Sequence, residues 1–194
     1  ALSMKENRFS VQKLALLGMM TALVFAGNYA RIIMPIAIGG RTSFTLANIL
    51  CCLSGLLLGP AGGLASGLGS ALYDLTNPLY AAECWITFLT KGAMGMVAGL
   101  AVSGALKERK LTYGRALVGA VAGCVAYYIL YFAKTFFYDG LLVDRLEPAV
   151  AAAVIPLKFP ASIFNAAVAI IAAPPLIMAI RAALKRSRML DKLD

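Results

Sequence analysis

Lysines, carboxylates and a regularly spaced set of tyrosines are the residues of this sequence able to hold a solute. Tyr127, Tyr131, Lys134 and Tyr138 recur at spacings of four, three and four, which places them on one face of a helix. Tyr128, Phe132, Phe136 and Phe137 fall on the other faces and read as rings turned to lipid or to the interfacial belt. A tyrosine face that carries a lysine is costly in lipid and reads instead as a cavity lining. It suits a flat or ring-bearing solute held by stacking and by hydroxyl hydrogen bonds. Lys91 and Lys158 also lie inside apolar stretches. Each is either a counter-ion for Asp74 or Glu83 or a contact to a ligand, and the sequence leaves both open. Asn77 and Asn165 supply neutral polar groups of the kind that orient a ligand. The candidate substrate-binding set is therefore Asn77, Glu83, Lys91, Tyr127, Tyr131, Lys134, Lys158 and Asn165.

Other chemistries are excluded by composition. The 194 residues include no histidine, so a His-based triad, a zinc-protease helix and a His-ligated metal or haem are ruled out within the chain. Cys51, Cys52, Cys84 and Cys124 show no C-x-x-C spacing and read as small packing residues, not as a metal clamp or redox pair. A membrane enzyme using Asp74 or Glu83 as acid or base would need a second spaced carboxylate on the same helix, and none is present. No catalytic residue, metal or cofactor is expected in this chain.

The elements that must position these residues follow from the apolar content. With 61% hydrophobic residues against 18 basic and 9 acidic ones, the chain reads as an all-α integral membrane protein. A spanning helix takes roughly 20 residues, and charge and Gly/Pro punctuation divide the chain into six spans: 11–34, 43–58, 61–76, 86–106, 113–138 and 155–180. Together they form a single membrane domain over 1–194 with no room for a second, soluble one. Gly59-Pro60 separates the second span from the third at a tight turn. Pro156, Pro160, Pro174 and Pro175 should kink or divide the last segment, preceded by a short extracellular helix or loop. Ala1, Leu2 and Ser3, ahead of Met4, read as remnants of recombinant expression.

The net charge of +9 would point to nucleic acid in a soluble protein; here it reads as an orientation signal. Six spans with both termini cytoplasmic put Lys5, Arg8, Lys13, Lys107, Arg109, Lys110, Arg115, Arg181, Lys185, Arg186, Arg188 and Lys192 inside, as the positive-inside rule requires. Arg31, Arg41, Lys91, Lys134, Arg145 and Lys158 fall in the outer half with Asp74, Glu83, Asp139, Asp144 and Glu147. Charges at that depth usually face a cavity or one another. The outer half is thus expected to hold a polar site, and the inner half to be apolar.

Gly18, Ala22, Ala26 and Ala30 recur every four residues on the first helix, a flat stripe that allows close helix approach. It fits packing within the bundle or docking on another subunit. Gly63, Gly67 and Ala71, and Gly95, Gly99 and Ser103, form two further stripes read as internal packing. With the stretches "SGLLLGPAGGLASGLGSALYDL" from Ser54 to Leu75, "TKGAMGMVAGL" from Thr90 to Leu100 and "IPLKFPASIFNA" from Ile155 to Ala166, nearly the whole chain resembles a substrate-binding S component of an energy-coupling factor (ECF) vitamin transporter.

That resemblance implies a six-helix subunit with an outward-facing pocket and no ATPase of its own. It implies assembly with a transmembrane coupling subunit and two cytoplasmic ATPases that use ATP, in a bacterial cell membrane, without nucleic acid. It also maps partner docking onto Ala15, Gly18, Ala22 and Ala26, although Ala15 is followed four residues on by Met19. The solute implied is a water-soluble vitamin or related micronutrient: riboflavin, thiamin, folate, biotin, pantothenate, pyridoxine, cobalamin or a queuosine-type compound. The competing reading is a self-sufficient homo-oligomeric transporter or channel whose glycine stripes join subunits.

Overall fold

The computed structural model describes residues 11–35, 41–106 and 111–186. Its elements are α1 (Val11–Tyr29), β1 (Arg31–Pro35), β2 (Arg41–Thr45), α2 (Ala47–Leu58), α3 (Gly62–Thr76), α4 (Cys84–Leu106), α5 (Tyr113–Lys134) and α6 (Pro148–Arg186). Short 3-10 turns occupy Gly59–Ala61 and Ala81–Glu83, and α5 continues as a π-helix over Thr135–Val143. Among the described residues, four helical stretches are long and apolar enough to cross a membrane: Ala47–Thr76, Ala81–Ser103, Tyr113–Val143 and Pro148–Arg186. The basic residues Lys5, Arg8, Lys107, Arg109, Lys110, Arg188 and Lys192 lie outside the described residues.

The first of those stretches is folded back on itself. Pro60 lacks a backbone donor, and Gly59 takes a φ of 65°, which glycine adopts without a Cβ clash. Past the turn, Ser66 Oγ lies 2.6 Å from Ser54 Oγ and Ser70 Oγ lies 3.9 Å from Cys51 Sγ, the register of two antiparallel helices. The Ser54 and Ser66 hydroxyls also donate to the carbonyls of Cys51 and Gly62, so these buried polar groups are satisfied. α3 then lies against α4 with almost nothing between the backbones. A methyl added at Gly63 would stand 2.7 Å from Gly92 O, and one at Gly67 would stand 2.7 Å from Phe88 O. On the α4 side, a methyl at Gly95 would meet the Ser66 hydroxyl and one at Gly99 the Gly59 backbone. The glycines of both expected packing stripes therefore meet at one seam.

Three segments depart from the sequence reading. The first helix stops at Tyr29, short of 34, and Arg31–Pro35 pairs antiparallel with Arg41–Thr45, Arg31 opposite Thr45. This short hairpin interrupts an otherwise helical chain among the described residues. The apolar run Ile32-Ile33-Met34 looked like more helix, but its β-branched isoleucines and Pro35 suit a strand better. The last segment is neither divided nor preceded by a separate helix: α6 runs unbroken for 39 residues from Pro148 with four prolines inside it. A proline at the first helical position lacks only a donor that would be unpaired there anyway. Finally, α5 opens on Thr112, whose hydroxyl accepts from the Arg115 N–H at 3.4 Å, and its helical path extends as the π segment to Val143, beyond 138.

The ends of α3 and α5, the starts of α2 and α4, the first half of α6 and the β1–β2 hairpin line a cavity at one end of the bundle. A solid apolar core fills the bundle beyond it, with Leu56, Met94, Val102 and Ile177 fully buried and Cys51, Cys52 and Cys124 packed among them.

Candidate functional site

The cavity has a volume of about 360 Å³, near the lower end of the ~300–1,000 Å³ usual for small-molecule sites. One wall is the face of α5. Tyr127 and Tyr131 stack with ring centres 5.8 Å apart and planes 23° from parallel, and Tyr128 meets both rings edge-on. Tyr138, on the same expected stripe, packs edge-on against Trp85 outside the lining.

Beside the tyrosines, an alternating row of charges ties four segments together. Lys134 of α5 pairs with Glu83 of the turn before α4 and lies 3.2 Å from Asp139 of the π segment. Asp139 in turn lies 3.6 Å from Lys158 of α6, which also donates to Thr135 Oγ1 at 3.3 Å and lies 5.6 Å from the centre of the Tyr131 ring. The π turn advances one residue per hydrogen bond beyond the α pattern, and here it brings Thr135 and Asp139 to the same lysine. Deeper in, Lys91 of α4 donates to Asn48 Oδ1 of α2, and its ammonium stands 4.1 Å from the centre of the Tyr127 ring. Asn48 also donates to the Tyr128 hydroxyl at 3.4 Å.

The remaining wall is the β1–β2 hairpin. Arg31 donates to Asn28 Oδ1 at 3.0 Å, with its guanidinium 4.8 Å from the Tyr73 ring centre and 5.0 Å from that of Tyr80. On the far strand, Asn165 of α6 donates to Ser43 O at 2.7 Å and accepts from the Thr45 N–H at 3.1 Å. One side-chain amide thus pairs with a strand as another strand's backbone would.

Of the candidate set, Glu83, Lys91, Tyr127, Tyr131, Lys134, Lys158 and Asn165 come together in this lining. Asn77 does not: it ends α3, and its Oδ1 accepts from the Leu79 N–H at 3.1 Å. The lining also includes Arg31, Asn48, Asp74, Tyr80, Tyr128 and Asp139. Of these, Tyr128 reverses the expectation of a lipid-facing ring, and its hydrogen bond to Asn48 explains the reversal. Nothing in its own helix period signalled that contact.

Away from the cavity, Ala15, Gly18, Ala22 and Ala26 lie exposed along one side of α1, while Met20, Val24 and Asn28 on the other side are buried. A methyl built at Gly18 meets nothing within 4 Å among the described residues. Among the described residues the stripe is therefore left exposed and not packed within the bundle.

A family model described as "ECF-type riboflavin transporter, S component" matches residues 8–182. The chain belongs to that family. A comparison with curated proteins finds no match. As an ECF S component it is a multi-pass membrane protein and the substrate-binding subunit of a transporter, a class that is not enzymatic. This S component thus presents a tyrosine-walled, charge-rimmed cavity at one end and a smooth helix face on its side.

Proposed function

We propose that this S component captures riboflavin, or a closely related flat-ringed micronutrient, from outside the bacterial cell membrane. It delivers the solute through a transmembrane coupling subunit and two ATPases that hydrolyse ATP. The observation that carries this reading is the cavity itself, about 360 Å³ with three tyrosines on one wall, in a chain of a family described by riboflavin transport. Its volume suits a fused-ring solute and argues against a corrinoid such as cobalamin, which is several times larger. In this proposal all six helices cross the membrane with both termini cytoplasmic. The Gly59–Ala61 turn then faces inward, and the cavity-lining helix ends face outward. The exposed α1 stripe of Ala15, Gly18, Ala22 and Ala26 supports docking on the coupling subunit.

Purified protein should quench flavin fluorescence on titration with riboflavin. Proteoliposomes should accumulate riboflavin only when the coupling subunit, the ATPases and ATP are all present. Uptake by the protein alone would favour the self-sufficient transporter, and absence of riboflavin binding would overturn the substrate.

A further inference from the structure

Two of the three lysines in the cavity have carboxylate partners. Lys134 has Glu83 and Asp139, and Lys158 has Asp139. Lys91, only 4% exposed, makes no ion pair with any described residue. Its ammonium carries three donors; one goes to Asn48 Oδ1, and the face of Tyr127 covers another side. Capacity remains for an oxygen of the solute; Asp74 shares the lining without an ion-pair contact to Lys91, and a buried charge with no carboxylate in contact gains most from such an acceptor.

We infer that Asn48 is a positioning residue that sets the specificity of the cavity. Its amide accepts from Lys91 and donates to Tyr128, fixing the ammonium beside the tyrosine wall as the donor that reads an acceptor oxygen on the edge of a flat ring. The inference rests on the flavin reading above and deepens it by naming which end of the solute is read. Depth supplies the direction. Asn48 and Lys91 are 2% and 4% exposed, whereas the side chains of Glu83 and Lys134 are 25% and 17% exposed. A solute with a ring at one end and a hydroxylated chain at the other removes most apolar area from water by entering ring first. That leaves the chain among Glu83, Lys134 and Asp139 and brings the ring edge to Lys91.

The test titrates the full-length protein in detergent with three flavins by fluorescence: riboflavin, lumichrome, which is the ring without the hydroxylated chain, and FMN, which adds a phosphate to that chain. Asn48→Leu should weaken riboflavin and lumichrome by the same factor, about 10- to 100-fold for the loss of one charge-assisted hydrogen bond. In a Lys91→Met background the same substitution should cost nothing further. Loss for riboflavin with lumichrome unchanged would place the lysine at the chain, and loss confined to FMN would make it a phosphate contact. Additive losses in the double variant would make Asn48 merely structural. Each of these three outcomes overturns the inference. If the leucine variant does not fold, Asn48→Ser keeps a small acceptor and should show an intermediate loss for both ring ligands; wild-type affinity there overturns the inference too. Wild-type protein that binds no riboflavin would instead sink the functional reading, so the two failures are separable.

Discussion

Lys134 stands between two carboxylates, and removing it is a different experiment from removing Tyr131. Tyr131→Ala takes away a ring that stacks on Tyr127 and faces Lys158, so riboflavin affinity should fall about tenfold, a loss on the scale of one aromatic contact, with little change in the melting temperature of the empty protein. Lys134→Ala leaves Glu83 without its lysine and Asp139 with Lys158 as its remaining described cation, and should destabilise the empty protein by about 1–3 kcal/mol as well as weaken binding. Thermal melts and flavin titrations on both variants check the contrast; equal melting temperatures would show that the ion row is not structural. The tyrosine face was legible in the sequence because a helix repeats every 3.6 residues, whatever surrounds it. Asn48 and Tyr128 were not, and Asp139 was legible only as one of the outer-half charges. Asn48 and Tyr128 earn their places by meeting partners on other helices, and Asp139 reaches Lys158 through a π turn that shifts the repeat.

Among the elements, the hairpin and α1 carry the sharpest expectations. Asn165 holds β2 to α6 through both ends of its amide, so Asn165→Leu should speed hydrogen exchange of the Thr45 amide at least tenfold while leaving amides in α4 unchanged. Unaltered exchange at Thr45 would remove the staple from the account. Ala22 lies on the exposed side of α1; Ala22→Trp should leave flavin affinity intact yet abolish uptake in the reconstituted complex, and normal uptake would defeat docking through this stripe. Gly67→Val, where a side chain would press on Phe88, should destabilise the fold by at least 2 kcal/mol, whereas Gly18→Val in open space should not. Charges and Gly/Pro punctuation were enough to locate most helices, since each apolar run must end where polar groups meet water. The hairpin stayed hidden because Ile32, Ile33 and Met34 continue the apolar run of α1. The unbroken α6 was hidden because a proline's lost donor and ring clash can be absorbed by packing that composition does not display.

At the scale of the whole molecule, the proposed orientation has a direct check. Single cysteines placed at Asp144 and at Arg186, in a background with the native cysteines replaced, should react with a membrane-impermeant maleimide from outside and only after lysis, respectively. Labelling of both from one side would overturn the paired-end topology. The glycine seam between α3 and α4 also bears on what the protein does electrically. Beneath the cavity the α3 and α4 backbones approach closely, and among the described residues Leu56, Met94, Val102 and Ile177 lie fully buried in an apolar core. Ions meeting such a plug face the full cost of dehydration, so the protein in a planar bilayer should carry no measurable current, with or without flavin. In the proposed orientation the cavity opens outward above this core, and delivery of the solute to the far side is expected to involve displacement of the carrier itself.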